Sequence, residues 1–232
     1  MLKSIFRING GNREESDDDE YVVDEARLID TMLTIREGSL YQLLMKIGLY
    51  SGARLSEIVK MIREWDEARL ICFEGFCRYK MKWHRGRKRC DYIYLPSRFL
   101  DEIRRYAGKI GKYGNLRKHI YDEYGIRMKE FRKLNYRICL NAGIEEAICD
   151  FYQSRITKLS VGRKYYDALR SRADEKYQLL VKAIDNFVNE MIEKLYIGKP
   201  LWDEAVVVNV DEVQAEMEKR EARKIIEWSM EL

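Results

Sequence analysis

Two apolar stripes separated by one tight break constrain this chain more than any other feature. Leu40, Leu43, Leu44 and Ile47 recur at i, i+3, i+4 and i+7, and Leu55, Ile58, Val59 and Ile62 repeat the pattern. Such spacing gathers apolar side chains on one face of a helix and demands a core to receive it. Ser51-Gly52 interrupts the pattern, so the sequence predicts two core helices joined by a sharp turn, with Ser56 as the expected N-cap of the second. Arg54 then stands at a helix entrance. There a side chain can face a cleft while the helix behind it is locked into the core.

Helical periodicity continues on both sides. A short helix is expected over 22–35. Further helices are expected over 98–109, 115–125 and 127–140, the last carrying KEFRKLNYRICL, and another at Ile144, Ala147, Ile148 and Phe151. Residues 69–95 differ. ARLICFEG, CRYKMKWH and CDYIYLP are short, β-branched and aromatic, which predicts a small antiparallel sheet with a hairpin turn near Arg85-Gly86-Arg87. A long helix is expected over 168–195, where Tyr177, Leu180, Ile184, Phe187, Met191 and Leu195 approach a heptad seam. After Gly198-Pro200 come a strand candidate, 205–210, and a charged amphipathic helix, 211–231. The fold class is therefore α+β, mainly helical, with a C-terminal helical extension. The expected divisions are an acidic segment (1–21), a main domain (22–170), a long helix (171–196) and a tail (197–232).

Apolar residues are 46% of the 232, enough for a sizeable core, and charged residues are 35%. The net charge is only +4, but it is unevenly spread. EESDDDE places six acids in seven residues near the N-terminus, a self-repelling run expected to be disordered and able to compete with an anionic ligand. From Arg78 to Arg89 there are seven basic residues and no acid, more than protecting a sheet edge requires. Lys82, Arg85, Arg87 and Arg89 in this run are candidate phosphate contacts. The five cysteines form no CxxC pair and the chain has two histidines, so no metal site is expected and the thiols are expected to be reduced. No apolar run is long enough to cross a membrane, and a soluble, cytoplasmic protein is the expectation.

Five short motifs then follow in order: YSGARLSEIVKM, the basic hairpin, KEFR, QSR and VGRKYY. Each alone is common. Their order and spacing together resemble the active site of a tyrosine recombinase, or integrase, of the archaeal and archaeal-virus kind, over residues 38–170. The resemblance implies an enzyme that needs no cofactor and no metal. It assigns the first catalytic arginine to Arg54, within a GxRxSE-like motif, with Glu57 orienting it. The hairpin lysine falls on Lys88, with Lys82 as the alternative, in the role of general acid. The second motif is usually HxxR, and here Lys129 replaces the histidine, while Arg132 takes the second arginine. Arg155 takes the third basic position, after Ser154 where the family has glycine. The nucleophile falls on Tyr166, with Tyr165 where histidine stands.

The chemistry accounts for these residue types. A phenol, with a reference pKa near ~10, must lose its proton to attack phosphorus. Guanidinium groups grip the non-bridging oxygens bidentately, never deprotonate, and stabilise charge that grows there, each worth about 10²–10³ in rate by analogy with oxyanion-hole donors. An acid must protonate the departing 5′ oxygen. The implied function is site-specific DNA recombination or integration through a 3′-phosphotyrosine, for a mobile element in an archaeal host cell. A type IB topoisomerase shares the chemistry, and a non-catalytic DNA-binding protein with a decayed site is the reading from another class. The implied partners are the double-stranded DNA of an attachment site and further copies of the chain, joined by exchange of the segment after the tyrosine. Only about 37 residues precede the matched region, where such integrases carry a core-binding domain, so the clamp around DNA is expected to come from elsewhere.

Overall fold

The computed structural model describes residues 23–85, 88–156 and 162–197, with side chains at all of these except Lys82, His84, Arg85, Lys88 and Ile197. The acidic N-terminal run, the hairpin tip at Gly86-Arg87, and the strand and helix expected after Pro200 lie outside the described residues. Helix α1 (Glu25–Thr34) starts at Asp24, whose carboxylate accepts from the Arg27 amide, and buries Leu28, Ile29 and Met32. Helix α2 (Leu40–Ser51) is capped by Ser39 and buried on nearly every side. Each of its fully buried leucines and isoleucines stabilises the fold by about 1.5–3 kcal/mol relative to exposure. Gly48 lets α2 approach another helix closely, because a Cβ there would meet Met128 Cε at 2.7 Å.

Helix α3 (Leu55–Arg63) follows the break as expected, but its N-cap is Arg54, not Ser56. Ser56 lies one residue inside the helix, because the cap is made from the far side of the first turn: Glu57 accepts from the Arg54 amide at 2.8 Å. The sheet is an antiparallel meander of β1 (Leu70–Cys72), β2 (Phe76–Arg85) and β3 (Lys88–Pro96), in that order. Arg85 pairs with Lys88 across the expected turn, and a register shift between Lys80 and Trp83 marks a bulge in β2. Helices α4 (Leu100–Tyr106), α5 (Tyr113–Tyr124), α6 (Met128–Asn141), α7 (Glu146–Tyr152) and α8 (Arg163–Ile192) complete the described α-helices. The mainly helical α+β class is as the periodicity implied.

Helix α2 is central, with α6, α3, α8 and β3 packed around it. Helix α8 begins at Arg163, five residues before the expected start. Its buried face, Tyr166, Leu169, Ala173, Tyr177, Leu180 and Ile184, extends the seam backwards through the tyrosine pair. The seam packs on its own domain. The Tyr177 hydroxyl donates to the Tyr50 carbonyl at 3.0 Å, and the Tyr94 hydroxyl donates to Asp174 at 2.7 Å, with Arg78 paired to the same carboxylate. Arg78, counted above in the basic hairpin run, is thus turned inward.

The expectation of reduced thiols is corrected. Cys72 is bonded to Cys77 and Cys139 to Cys149, leaving Cys90 as a free, buried thiol. The first pair are cross-strand partners in the β1–β2 register, and the second spans α6 to α7 with its Cα atoms 6.0 Å apart. Neither relation is readable without knowing the register or the helix packing. No helix among the described residues is long and apolar enough to cross a membrane.

Candidate active site

The turn between α2 and α3 does most of the positioning. Gly52 adopts φ 62°, a left-handed conformation that only glycine takes freely, and a Cβ on it would meet Asn135 Oδ1 at 2.4 Å. The extended residue that follows at the helix entrance is Arg54. Glu57, 1% exposed, accepts from the Arg54 backbone and from its Nη1 at 2.5 Å. One buried carboxylate therefore fixes both ends of Arg54, whose side chain stays 26% exposed.

Arg132 comes from α6, one turn after Lys129. Its Nη1 donates to the Gly52 carbonyl at 2.8 Å and its Nη2 to the Gln153 carbonyl at 2.6 Å. Gln153 returns a hydrogen bond to the Arg132 carbonyl at 2.8 Å and bonds Asn135 Oδ1 at 3.2 Å, while Asn135 donates to the Leu49 carbonyl at 2.8 Å. This lattice ties α2, α6 and the end of α7 to one guanidinium. Burial, and then repulsion from Arg54, with a further contribution from Arg155, lower the Arg132 pKa to about 10. It remains a cation at neutral pH, held beside another cation. An arrangement that brings like charges together is poised for an anion.

Arg54, Lys129 and Arg132 line one cleft of about 870 Å³. Arg117, Lys118 and Arg127 line it too, giving six cations against one lining acid, Asp122. The first two stand on α5 with Tyr113 and Tyr121, a face at i, i+4, i+5 and i+8. Sequence reasoning located that helix but missed its role. The signal was present, a basic and aromatic face on one side of a helix.

The other expected residues stand elsewhere. Arg155 follows Ser154, the one described non-glycine residue with a positive φ, 53°. That conformation is easiest for glycine, which accounts for the glycine the family pattern has there. The Arg155 guanidinium stacks over Tyr136 at 4.3 Å and bonds Asp150 at 3.2 Å, outside the cleft lining. Lys88 opens β3, and Lys82 and Arg85 lie on β2, but their side chains, like Arg87, are outside the described residues. Arg89 bonds Asp91 at 2.9 Å.

The two tyrosines diverge. Tyr165 is 51% exposed. Tyr166 is 1% exposed, packs against Phe151 at 5.2 Å, and donates to Asp91 Oδ2 at 2.7 Å. Burial, followed by the Asp91 hydrogen bond, pushes its phenol well above the usual tyrosine range. Asp91 gave no signal in the sequence, because a single acid just after a basic run looks like a solvated counter-charge. Its neighbour Cys90 is buried close to Glu57, Ser154 and Arg54, and burial raises its thiol. Adjacent positions on β3 thus touch the arginine side of the site and the tyrosine. Among the described residues no group of three or more His, Cys, Asp or Glu could hold a metal ion.

A family model described as archaeal phage integrase matches residues 20–183, a span that contains every element from α1 through most of α8. No curated protein matches the sequence.

Proposed function

Because the chain belongs to the archaeal phage integrase family, whose members act in site-specific DNA recombination and integration, we propose that it cuts and rejoins DNA through a covalent 3′-phosphotyrosine, with Tyr166 as nucleophile. Arg54 and Arg132 hold the non-bridging oxygens of the scissile phosphate, and Lys129 and Arg155 add positive charge around it. The Tyr166 oxygen forms a bond to phosphorus as the bond from phosphorus to the 5′ oxygen breaks. The phenol's proton passes to solvent water, and Lys88 in its ammonium form gives one to the departing oxygen. The reverse sequence, with a new 5′-hydroxyl attacking the phosphotyrosine, rejoins the strand. Double-stranded DNA is the substrate, and copies of the chain assemble on its attachment site.

The observation that carries this reading is the fixed pair Arg54 and Arg132. Their shared scaffold is a glycine turn and a buried carboxylate, and they open on a cleft lined by six cations. Two guanidinium groups pre-set in this way stabilise pentavalent phosphorus without reorganising during the reaction. A second reading makes Tyr165 the nucleophile, favoured by its 51% exposure beside a buried Tyr166.

A nicked duplex that loses its short 3′ fragment on cleavage traps the intermediate. We expect a shifted band on a denaturing gel with the wild type and with Tyr165→Phe, and none with Tyr166→Phe. The reverse pattern moves the nucleophile to Tyr165. No band in any protein favours a decayed, DNA-binding site. Relaxation of plasmids that lack the attachment site would favour the topoisomerase reading.

A further inference from the structure

We propose that Asp91 is a catch that holds the Tyr166 hydroxyl in a resting position, so that cleavage requires this hydrogen bond to open and the first turn of α8 to be redrawn. The inference rests on Tyr166 being the nucleophile.

Three observations converge on it. The Tyr166 ring is buried, its hydroxyl lies 2.7 Å from Asp91 Oδ2, and it is not among the residues lining the cleft where Arg54, Lys129 and Arg132 meet. A phenol bonded to a carboxylate is held in its protonated form, the opposite of what attack needs. Second, Asp91 is itself fixed. It is buried on β3, and Arg89 bonds its other oxygen at 2.9 Å. The carboxylate cannot follow the tyrosine towards the cleft, so the pair must separate.

Third, the element carrying Tyr166 is built to open at that end. The N-cap of α8 is Gly162, which offers no side chain to cap the exposed amides. The first turn holds no acid, and it starts with Arg163 and Lys164, whose charges oppose the helix dipole. The Tyr166 amide makes the first α-helical bond, to the Gly162 carbonyl at 3.0 Å. From Leu169 onward the helix is anchored by buried side chains and by the hydrogen bonds of Asp174 and Tyr177. One turn can therefore unwind and carry the tyrosine away while the rest of α8 stays docked. DNA in the cleft, drawing Arg163 and Lys164 towards its phosphates, is the natural trigger.

The test is the single-turnover rate of adduct formation on a nicked duplex for wild type, Asp91→Asn and Asp91→Ala, with peptide mapping of the modified tyrosine. A hydrogen bond to a charged acceptor is about twice as strong as a neutral one, so the expected order is Ala fastest, Asn intermediate and wild type slowest, spanning about tenfold. The rates are taken at saturating duplex, so that any change in affinity from releasing Arg89 does not enter the comparison. Asp91→Asn is isosteric and keeps an acceptor, so it decides the question even if Asp91→Ala fails to fold. An adduct on Tyr166 at an equal or lower rate in Asp91→Asn overturns the catch and leaves the nucleophile standing. An adduct on Tyr165 overturns both.

Discussion

Gly52→Ala adds one methyl group, changes no charge, and should disable the site. At φ 62° a residue with a Cβ costs about 1 kcal/mol relative to glycine. The added carbon would lie 2.4 Å from Asn135 Oδ1 and 3.0 Å from Gln153 Cγ. Neither can retreat without loss, since Asn135 donates to the Leu49 carbonyl and Gln153 to the Arg132 carbonyl, both at 2.8 Å. Breaking one of these buried bonds adds about 1–3 kcal/mol. The sum, about 2–4 kcal/mol, corresponds to a fall in Tm of roughly 5–15 °C for a chain of this size. Function should suffer more, because the Gly52 carbonyl receives Arg132 and the same turn aims Arg54. Displacing both arginines should cut adduct formation by about 10²-fold or more. The control is Gly108→Ala, also left-handed at φ 71° but with open space around its Cβ, which should cost only the conformational term of about 1 kcal/mol. Thermal melts and single-turnover trapping read both quantities. If Gly52→Ala melts and reacts like Gly108→Ala, the shared turn is not what positions the arginines.

Other outcomes follow from separate parts of the molecule. Neutralising Arg117 and Lys118 should weaken binding to all duplex sequences and flatten the slope of log affinity against log salt by about 0.9 per lost phosphate contact, and neutralising Arg85 and Arg87 in the hairpin should do the same; an unchanged slope in a binding titration refutes the contact. Reducing the Cys139–Cys149 bond, or Cys139→Ser, should lower stability by about 2–3 kcal/mol, read as a lower Tm in reductant, because the bond closes a loop joining α6 to α7. In alkaline titration followed at 295 nm, Tyr94, Tyr152, Tyr166 and Tyr177 should stay protonated until the protein unfolds, since burial raises all four. Their folded pKa values lie above the unfolded value, so the stability they contribute is intact below pH ~10 and is lost as pH rises beyond it. Smooth titration of every tyrosine near pH ~10 would contradict this.

What could be read in advance had a local cause. The turn at Ser51-Gly52 and the stripes around it announce a helix entrance at Arg54, and one helical turn sets Lys129 and Arg132 on a common face. What stayed hidden depends on distant packing. Cys72 and Cys77 become partners only once the β1–β2 register is known. Arg117 and Lys118 acquire a role only once α5 is set against α3 and the start of α6. The fate of Tyr166 turns on where α8 begins. A start at Arg163 puts the tyrosine on the buried stripe with Leu169 and Ala173, and only the fold brings Asp91 to its hydroxyl.

The most direct test is the chemical identity of the DNA–protein bond. The nicked duplex is labelled at the 5′ end of the cleaved strand, the trapped complex is digested with trypsin, and the labelled peptide is fragmented by mass spectrometry. The account predicts that the protein stays attached to the labelled piece through its 3′-phosphate. It further predicts that the modified residue is Tyr166 within the peptide spanning residues 165–170, released by cleavage after Lys164. A bond through a 5′-phosphate, a modified residue outside this peptide, or cleavage with no covalent complex would contradict it.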